Sequence, residues 1–555
     1  MRDGVTLDTC VWLPAADTPA PAIFLRTPYA RSVTAVNEPP LLRYLQAGYA
    51  VVMQQIRGVG RSGGRFAFNA PHDRTDGYDS VEWIAAQPWC TGAVGMDGHS
   101  YAGMTQLTAA AARPPSLRCI VPAVPSTDFF LEPPYIGGVF SRMHTLVWGE
   151  ALQFADMLDA EGGQFRLHGF LTDPALLQSW LSRPVRSAAE GVLQGDLLLH
   201  YRDVLDHPVL DDWWQARTLG PADFATMDLP VLLVSGNFDP SVGALTLWRG
   251  LEAHAANAGN RHLLIGPWDH NGAYNGGAPG HGPYRLGEAS DLDLVAHRIR
   301  FFDRHLKAEG DGLEGSPRVS LFLTGANRWH HADSYPPRDV ARRTLFLASG
   351  GHANSARGDG RLVDAPLDAA TDRFVDDPDL PLVGPLTMLK GPEHMLDLAE
   401  LARMHDVLVY ATDPLSAPLT LLGEAEAELV TSADAPDADL CLTLAEQRAD
   451  GRIIQLAFGQ LRLRYHQGFD REVPLMPGEP VRVRIPLTHV GHRLPAGHRL
   501  VLLVAGGNFP LLDPNPHGAG PIADQPANHS AVQAIHHGGA HASRLHLPVC
   551  EDPHG

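Results

Sequence analysis

Ser100 stands in Gly98-His99-Ser100-Tyr101-Ala102-Gly103, between an apolar run that reaches Asp97 and a small-residue, helix-forming run that continues to Ala112. A serine hydroxyl is a weak nucleophile until a base takes its proton. A sharp strand-to-helix turn is one way to hold it exposed for attack, and small neighbours let strand and helix pass closely. The spacing is not a strict G-x-S-x-G, because position 102 is Ala and the second glycine follows at 103. Taken alone, the motif fits either a nucleophile elbow or a Gly-rich turn with an idle serine.

The base and its orienting carboxylate would follow the serine in the order Ser, Asp, His, each at the carboxyl end of a later strand. Gly236-Asn237-Phe238-Asp239 follows the apolar run PVLLVS, and Pro267-Trp268-Asp269-His270 follows HLLIG. Asp239 before Pro240 also suits a simple turn, and His262 and Asp269 are nearby rivals. Three candidates at three strand ends, in the right order, favour a triad of Ser100, Asp239 and His270. The developing oxyanion needs donors as well. The backbone N–H of Tyr101 comes with the elbow. No HGGG-type loop precedes it. The first apolar run ends in Arg26-Thr27-Pro28-Tyr29, and Tyr29 reads either as a buried tyrosine beside a turn proline or as a second donor.

These residues need a scaffold. From Ala22 to about Val124, strand-like runs (Ala22–Arg26, Ala50–Ile56, Leu117–Val124) alternate with helical ones (Pro40–Ala47, Asp73–Ala86). That pattern predicts a parallel sheet covered on both faces. From Phe129 to about Met227 the periodicity is helical, which predicts an inserted helical cap. Strands resume at Pro230–Ser235, His262–Gly266 and Val319–Leu323, with a helix over Asp291–Leu306. From about Arg343, short alternating strands recur: TLFLA, DVLVYAT, AEAELVTS, DLCLTLAE, IIQLAFGQLRLRY, PVRVRIPL, RLVLLVAG and SRLHLPV. These predict an antiparallel sandwich or jelly roll. Gly350–Asp379, polar and Gly-, Asp- and Ala-rich, reads as a surface connection.

Composition narrows the field. The 555 residues exceed one core, with 44% hydrophobic and 19% charged residues and a formal net charge of −20. An acidic balance argues against nucleic-acid partners and against an anionic membrane surface. The five cysteines (Cys10, Cys90, Cys119, Cys441, Cys550) are widely spaced without a C-x-x-C, so neither a disulfide framework nor a zinc site is expected. The 28 histidines include no H-E-x-x-H. With no apolar leader at MRDGVTLDTCVWLP and no long apolar run, a cytoplasmic location is the expectation.

The set RTPY, IRGVGRSGG, DGYDSVEWIAAQPWC, GMDGHSYAG, SGNFD, GPWDH and FFDRHLK resembles the cocaine-esterase-like acyl hydrolases. These share a fold with X-prolyl dipeptidyl aminopeptidases, α-amino acid ester hydrolases and glutaryl-cephalosporin acylases. The resemblance runs from MRDGVTL through LPAGHRLVLLVAGGNFPLLDPNP to SRLHLPV. It implies the α/β class: an α/β-hydrolase domain (1–127 and 228–340) with an inserted helical cap (128–227) and a C-terminal β jelly-roll domain (341–555). It places Ser100 on the nucleophile, Asp239 on the acid, His270 on the base, and Tyr29 with the Tyr101 N–H on the oxyanion hole.

The implied function is serine hydrolysis of small to medium carboxylic esters, with an amidase or peptidase as the alternative. It needs neither cofactor nor metal. The partner is a small-molecule ester or amide, and an exposed jelly-roll edge could pair into a homo-oligomer. Trp148, Trp213 and Trp214 are candidate pocket linings, each also readable as plain core, and Leu386–Leu396 could reach the pocket. Three departures stand out. Gln54-Gln55 replaces the family's Gln-Asp, which leaves Arg57 without that charged partner. The residues after Asp239 (Pro240, Ser241, Val242) are uncharged, which counts against recognition of a substrate ammonium. Ser241 sits where cocaine esterase has an aromatic residue, so an aryl acyl group would pack differently or be refused.

Overall fold

The computed structural model describes all residues except 17, 30–39, 154–180, 240–241, 256–259, 277–283, 285, 368–369, 385–396 and 552–555. Apolar runs too short for helices satisfy their backbone by pairing. The first strands are β1 (Thr9–Trp12), β2 (Ala20–Thr27), β3 (Ala50–Gln55), β4 (Cys90–His99) and β5 (Leu117–Ala123). A short hairpin, β6 (Tyr135–Ile136) and β7 (Val139–Phe140), precedes β8 (Val231–Gly236), β9 (Arg261–Gly266), β10 (Val319–Leu323) and β11 (Arg328–Ala332). Nine of these form one sheet in the order β1-β3-β2-β4-β5-β8-β9-β10-β11. Its centre is parallel. The edges correct the all-parallel expectation: β1 lies antiparallel to β3 and β11 antiparallel to β10. Neither edge strand has the buried apolar run of the central strands, which is why neither stood out in the sequence.

Alternate residues of the central strands feed two cores. Ala22 and Phe24 pack with the helices His72–Ala85, Tyr101–Ala112 and Gly243–His254. Ile23 and Leu25 pack with Pro40–Gln46 and Leu294–Phe302. The strand order reverses between β2, whose next strand β3 lies to one side, and β4, which lies to the other. In such sheets ligands bind outside the carboxyl ends at this switch point.

Between β5 and β8 the described residues form the β6–β7 hairpin and the helices Arg142–Gln153, Gly195–Asp206, Asp212–Gln215 and Pro221–Thr226. An aromatic cluster that includes Phe68, Tyr101, Phe129, Phe130 and Trp214 joins them to the sheet.

The remainder is β12 (Val340–Ala348), β13 (Arg361–Val363), β14 (Asp372–Asp376), β15 (Leu408–Ala411), β16 (Leu419–Ala433), β17 (Asp439–Gln447), β18 (Ile453–Arg462), β19 (Val481–Leu494), β20 (Arg499–Ala505), β21 (Ala531–His536) and β22 (Arg544–Cys550). They make an eleven-stranded sheet around a separate core. Phe374 of β14 and Leu461 of β18, from opposite ends of the strand order, both belong to that core. Gly350–Asp379 is more than a surface connection, because it supplies β13 and β14 and the buried Asp372. Its strands are short, so hydropathy did not reveal them.

The two units are stitched by the backbone. Thr324 donates to Gly491 (3.0 Å) and Arg493 donates back to Thr324 (2.9 Å). The β6–β7 turn abuts Gln460 and Tyr465, and Arg462 donates to the carbonyl of Gly137 (2.9 Å). Both turn glycines have positive φ, and a Cβ on either would strike these neighbours. Among the described residues, no helix is long and apolar enough to cross a membrane.

Candidate active site

Ser100 is the residue between β4 and the helix Tyr101–Ala112, with φ 58° and ψ −124°. That backbone is costly for any residue with a Cβ and persists only if the surroundings enforce it. They do. The Ser100 N–H donates to Ala123 O of β5 at 3.0 Å, and Gly103 and Met104 donate to the Ser100 carbonyl. A Cβ at Gly98 would sit 2.6 Å from the Ala102 Cβ, and one at Gly103 would sit 2.9 Å from the Ala123 carbonyl. Ala102 therefore suits the tight crossing, and the glycine displaced to 103 serves the helix–β5 contact.

Gln106 was not singled out in the sequence, although an amide in the run TQLTAAAA is its signal. It is fully buried, and its Nε2 donates to Gly98 O (3.0 Å) and Ala102 O (3.1 Å) while its Oε1 accepts from Val121 N (2.9 Å). One side chain thus ties β4, β5 and the helix together beneath the serine. Thr105 Oγ1 donates to Arg26 O (2.8 Å) and fixes the end of β2, just before Tyr29.

His270 follows β9 and Asp239 follows β8, as the strand-end reading expects. His270 Nδ1 lies 2.6 Å from Asp239 Oδ2. The Asp239 side chain has no exposure, whereas that of His270 is 35% exposed. Burial lowers the His270 pKa, but the charge and hydrogen bond of Asp239, with the charges of Asp269 and Glu132, outweigh it, and the net shift is upward from 6.5. Neighbouring imidazoles are held neutral. Burial and the charges of His270 and Arg298 push His99 down to about 3. Burial and His270 push His144 down to about 4.

The Tyr29 phenol accepts from the Trp148 indole, whose Nε1 donates to it at 3.2 Å. Burial raises its pKa, so it stays an O–H donor. Trp148 stacks on Tyr101 (5.8 Å between ring centroids, 15° between planes), and the Tyr101 phenol oxygen accepts from Asn69 N (3.0 Å). The Tyr101 N–H belongs to the first turn of its helix, where backbone donors have no intrahelical acceptor and the dipole favours negative charge.

Of the other tryptophans, Trp214 is fully buried among Phe129, Phe130 and Tyr135, which fits the core reading over the lining one. Trp213 stacks on His207. Ser241 and Leu386–Leu396 lie outside the described residues.

Behind the elbow, Asp97 accepts from Tyr44 (2.6 Å) and Tyr274 (3.0 Å), with Arg298 Nη1 at 3.8 Å. His99 stacks on Tyr274 at 4.6 Å. The Arg57 expectation is also corrected. Asp76 takes Arg57 in a two-bond fork, 2.6 Å each, and Asp3 adds a third contact. Gln55 is thereby released from that duty, and its amide donates to the Tyr29 carbonyl (3.3 Å).

The profile of the X-Pro dipeptidyl-peptidase (S15 family) matches residues 3–272, and that of the X-Pro dipeptidyl-peptidase C-terminal non-catalytic domain matches 311–546. A cocaine esterase from Rhodococcus sp. (strain MB1 Bresler) is 33% identical over 576 residues, with 99% of this chain and 97% of that protein covered. The chain belongs to the S15 family of serine hydrolases. Among solved structures, an aminopeptidase from a marine sediment archaeon, Thaumarchaeota archaeon, superimposes with a TM-score of 0.84 at 25% identity, over 99% of this chain and 95% of that one. An α-amino acid ester hydrolase shares the fold, with a TM-score of 0.81 at 24% identity and coverage of 99% and 95%.

Proposed function

We propose that this S15 hydrolase is an esterase that cleaves small to medium carboxylic acyl esters through Ser100, His270 and Asp239. The reading rests above all on the 2.6 Å His270–Asp239 hydrogen bond at adjacent strand ends. The full-length likeness to a cocaine esterase supports the ester class. Asp239 holds Nδ1 and leaves Nε2 of His270 to take the Ser100 proton. The serine oxygen attacks the acyl carbon, and the Tyr29 O–H and Tyr101 N–H donate to the oxyanion, each worth ~3 kcal/mol. The imidazolium, stabilised by Asp239, protonates the departing alkoxide. Water, deprotonated by the same imidazole, then releases the acid.

In this reading residues 128–227 act as a helical cap, the strands of 341–555 form a jelly roll, and the hydrolase domain comprises 1–127 and 228–340. The cap would present Trp148 to the acyl pocket. The chemistry calls for no cofactor. The aminopeptidase neighbour favours a second reading, amide or peptide hydrolysis by the same machinery.

A fluorophosphonate followed by intact-mass analysis tests the mechanism. A single adduct on Ser100, formed more slowly in Asp239→Asn, is expected, and no adduct would overturn it. A nitrophenyl ester set against a prolyl dipeptide anilide separates the two substrate classes.

A further inference from the structure

His330 lies on the edge strand β11, Asp339 on the connection entering β12, and Cys550 at the end of β22. They are far apart in sequence but converge at the seam between the two sheets. Cys550 is only 5% exposed and packs with the core of the nine-stranded sheet. Val340, next to Asp339, is the register partner of Cys550, and Glu551 N lies 3.4 Å from Asp339 O. The backbone therefore fixes where these side chains meet.

The separations are informative. His330 Nε2 is 3.4 Å and Cys550 Sγ is 3.6 Å from the same atom, Asp339 Oδ2. All three ligand atoms lie within 4.8 Å of one another. A 3.4 Å N···O separation is long for a charge-assisted hydrogen bond, which runs about 2.7–2.9 Å. It fits the edge of a metal tetrahedron. With Zn–N and Zn–O near ~2.1 Å and Zn–S near ~2.3 Å at tetrahedral angles, the N···O edge is about 3.4 Å and the S···O edge about 3.6 Å.

We propose that His330, Asp339 and Cys550 bind a divalent cation of the zinc class, with solvent as fourth ligand on the side where Asp339 is 44% exposed. One nitrogen, one oxygen and one sulfur donor suit zinc over magnesium or calcium. Binding deprotonates the Cys550 thiol, whose proton passes to solvent. The ion joins β11 of the nine-stranded sheet to the β12–β22 pair of the other, so it acts as a clamp between the sheets, remote from the esterase reading. A second convergence, His72 with Asp73 and Asp76, is different: those carboxylates already hold Arg26 and Arg57.

The test uses the full chain, stripped with a chelator, with Co²⁺ as the optical probe and Zn²⁺ as competitor. One equivalent of Co²⁺ should produce a thiolate charge-transfer band that Zn²⁺ abolishes. Cys550→Ser should lose the band. His330→Ala and Asp339→Asn should weaken binding by at least the about tenfold typical of lesser, outer-shell changes. Zn²⁺ should raise the Tm of the parent protein and leave that of Cys550→Ser unmoved. Either no thiolate band in the parent or a band that survives in Cys550→Ser would overturn the proposal. Should Cys550→Ser fail to fold, His330→Ala decides, because its residue sits on an edge strand. Undiminished Co²⁺ affinity there would equally overturn it.

Discussion

Among the described residues three histidine–aspartate pairs share the same 2.6 Å contact, and two of them, His270 with Asp239 and His537 with Asp372, invite comparison. A serine is bonded to the second pair, and Ser100 is the proposed partner of the first. In the eleven-stranded sheet, Ser349 Oγ donates to Asp372 itself (2.6 Å), as do Tyr410 OH (2.9 Å) and Ala353 N (2.9 Å). The acid is the hub, and both His537 and Asp372 have no side-chain exposure. At the strand ends of the other sheet the imidazole is part-exposed, and in the proposed mechanism it is the hub. The serine there is held by a strained turn. The difference teaches that Ser, His and Asp together are not yet a catalytic device. The histidine must face both the nucleophile and an approachable space.

The sharpest break of this comparison is Ser100→Ala, which should cut ester turnover by about six orders of magnitude with the fold intact. Ser349→Ala should leave kcat/KM unchanged. Rates and fluorophosphonate labelling of both variants check this.

The carboxylates come next. Asp239→Asn should lower kcat by about four orders of magnitude. In the parent protein, activity should rise with pH along an acid limb set by the raised His270 pKa, hence above 6.5, because only the neutral imidazole is a base. Removing the Asp239 charge should move that limb to lower pH, measurable in a kcat/KM profile.

Asp372→Asn should leave the profile alone and cost about 3–5 kcal/mol of stability, as for a broken buried pair. Burial raises the Asp372 pKa, but the bonds from His537, Ser349, Ala353 and Tyr410 lower it further, for a net shift below 3.8. Its stabilising contribution is therefore present above pH 3.8 and lost as pH falls through the lowered value. Denaturation midpoints against pH would show it, and an Asp372→Asn protein with unchanged acid stability would erase the contrast.

Tyr29→Phe should lower kcat by about a hundredfold or more with little change in KM, as for one oxyanion donor. An unchanged kcat would return Tyr29 to a packing role. The smallest expected effect is Trp148→Phe. It keeps the stack on Tyr101 but removes the donor to Tyr29, a bond worth about 1 kcal/mol, so a several-fold loss in kcat is expected.

Much of this arrangement was legible in the residues. A buried strand needs a short apolar run, and a chain leaving its carboxyl end must turn at once, so Ser100, Asp239 and His270 could be placed at strand ends from local pattern. Strands β2, β3, β5, β8, β9 and β10 fell within a residue or two of their expected bounds. Edge strands β1 and β11 and the short β13 and β14 escaped, because a strand with a solvated side or a few residues carries no distinctive hydropathy. Arg57 shows the other limit. Its partner is Asp76, on a helix, and no spacing rule links position 57 to 76.

The sequence by itself determined the strand–turn–helix around Ser100, the order of the candidate triad and the change from alternating helices and strands to strands alone. These depend on interactions between near neighbours, which composition and period encode. Only the tertiary structure decided that Gln106 anchors the elbow, that Trp148 and Gln55 reach Tyr29, that Trp214 is core, and that His330, Asp339 and Cys550 meet at one point. Each of these joins residues from separate elements. Their distances follow from how sheets and helices stack, which reflects the packing of the whole chain and leaves no periodic trace in any short window of it.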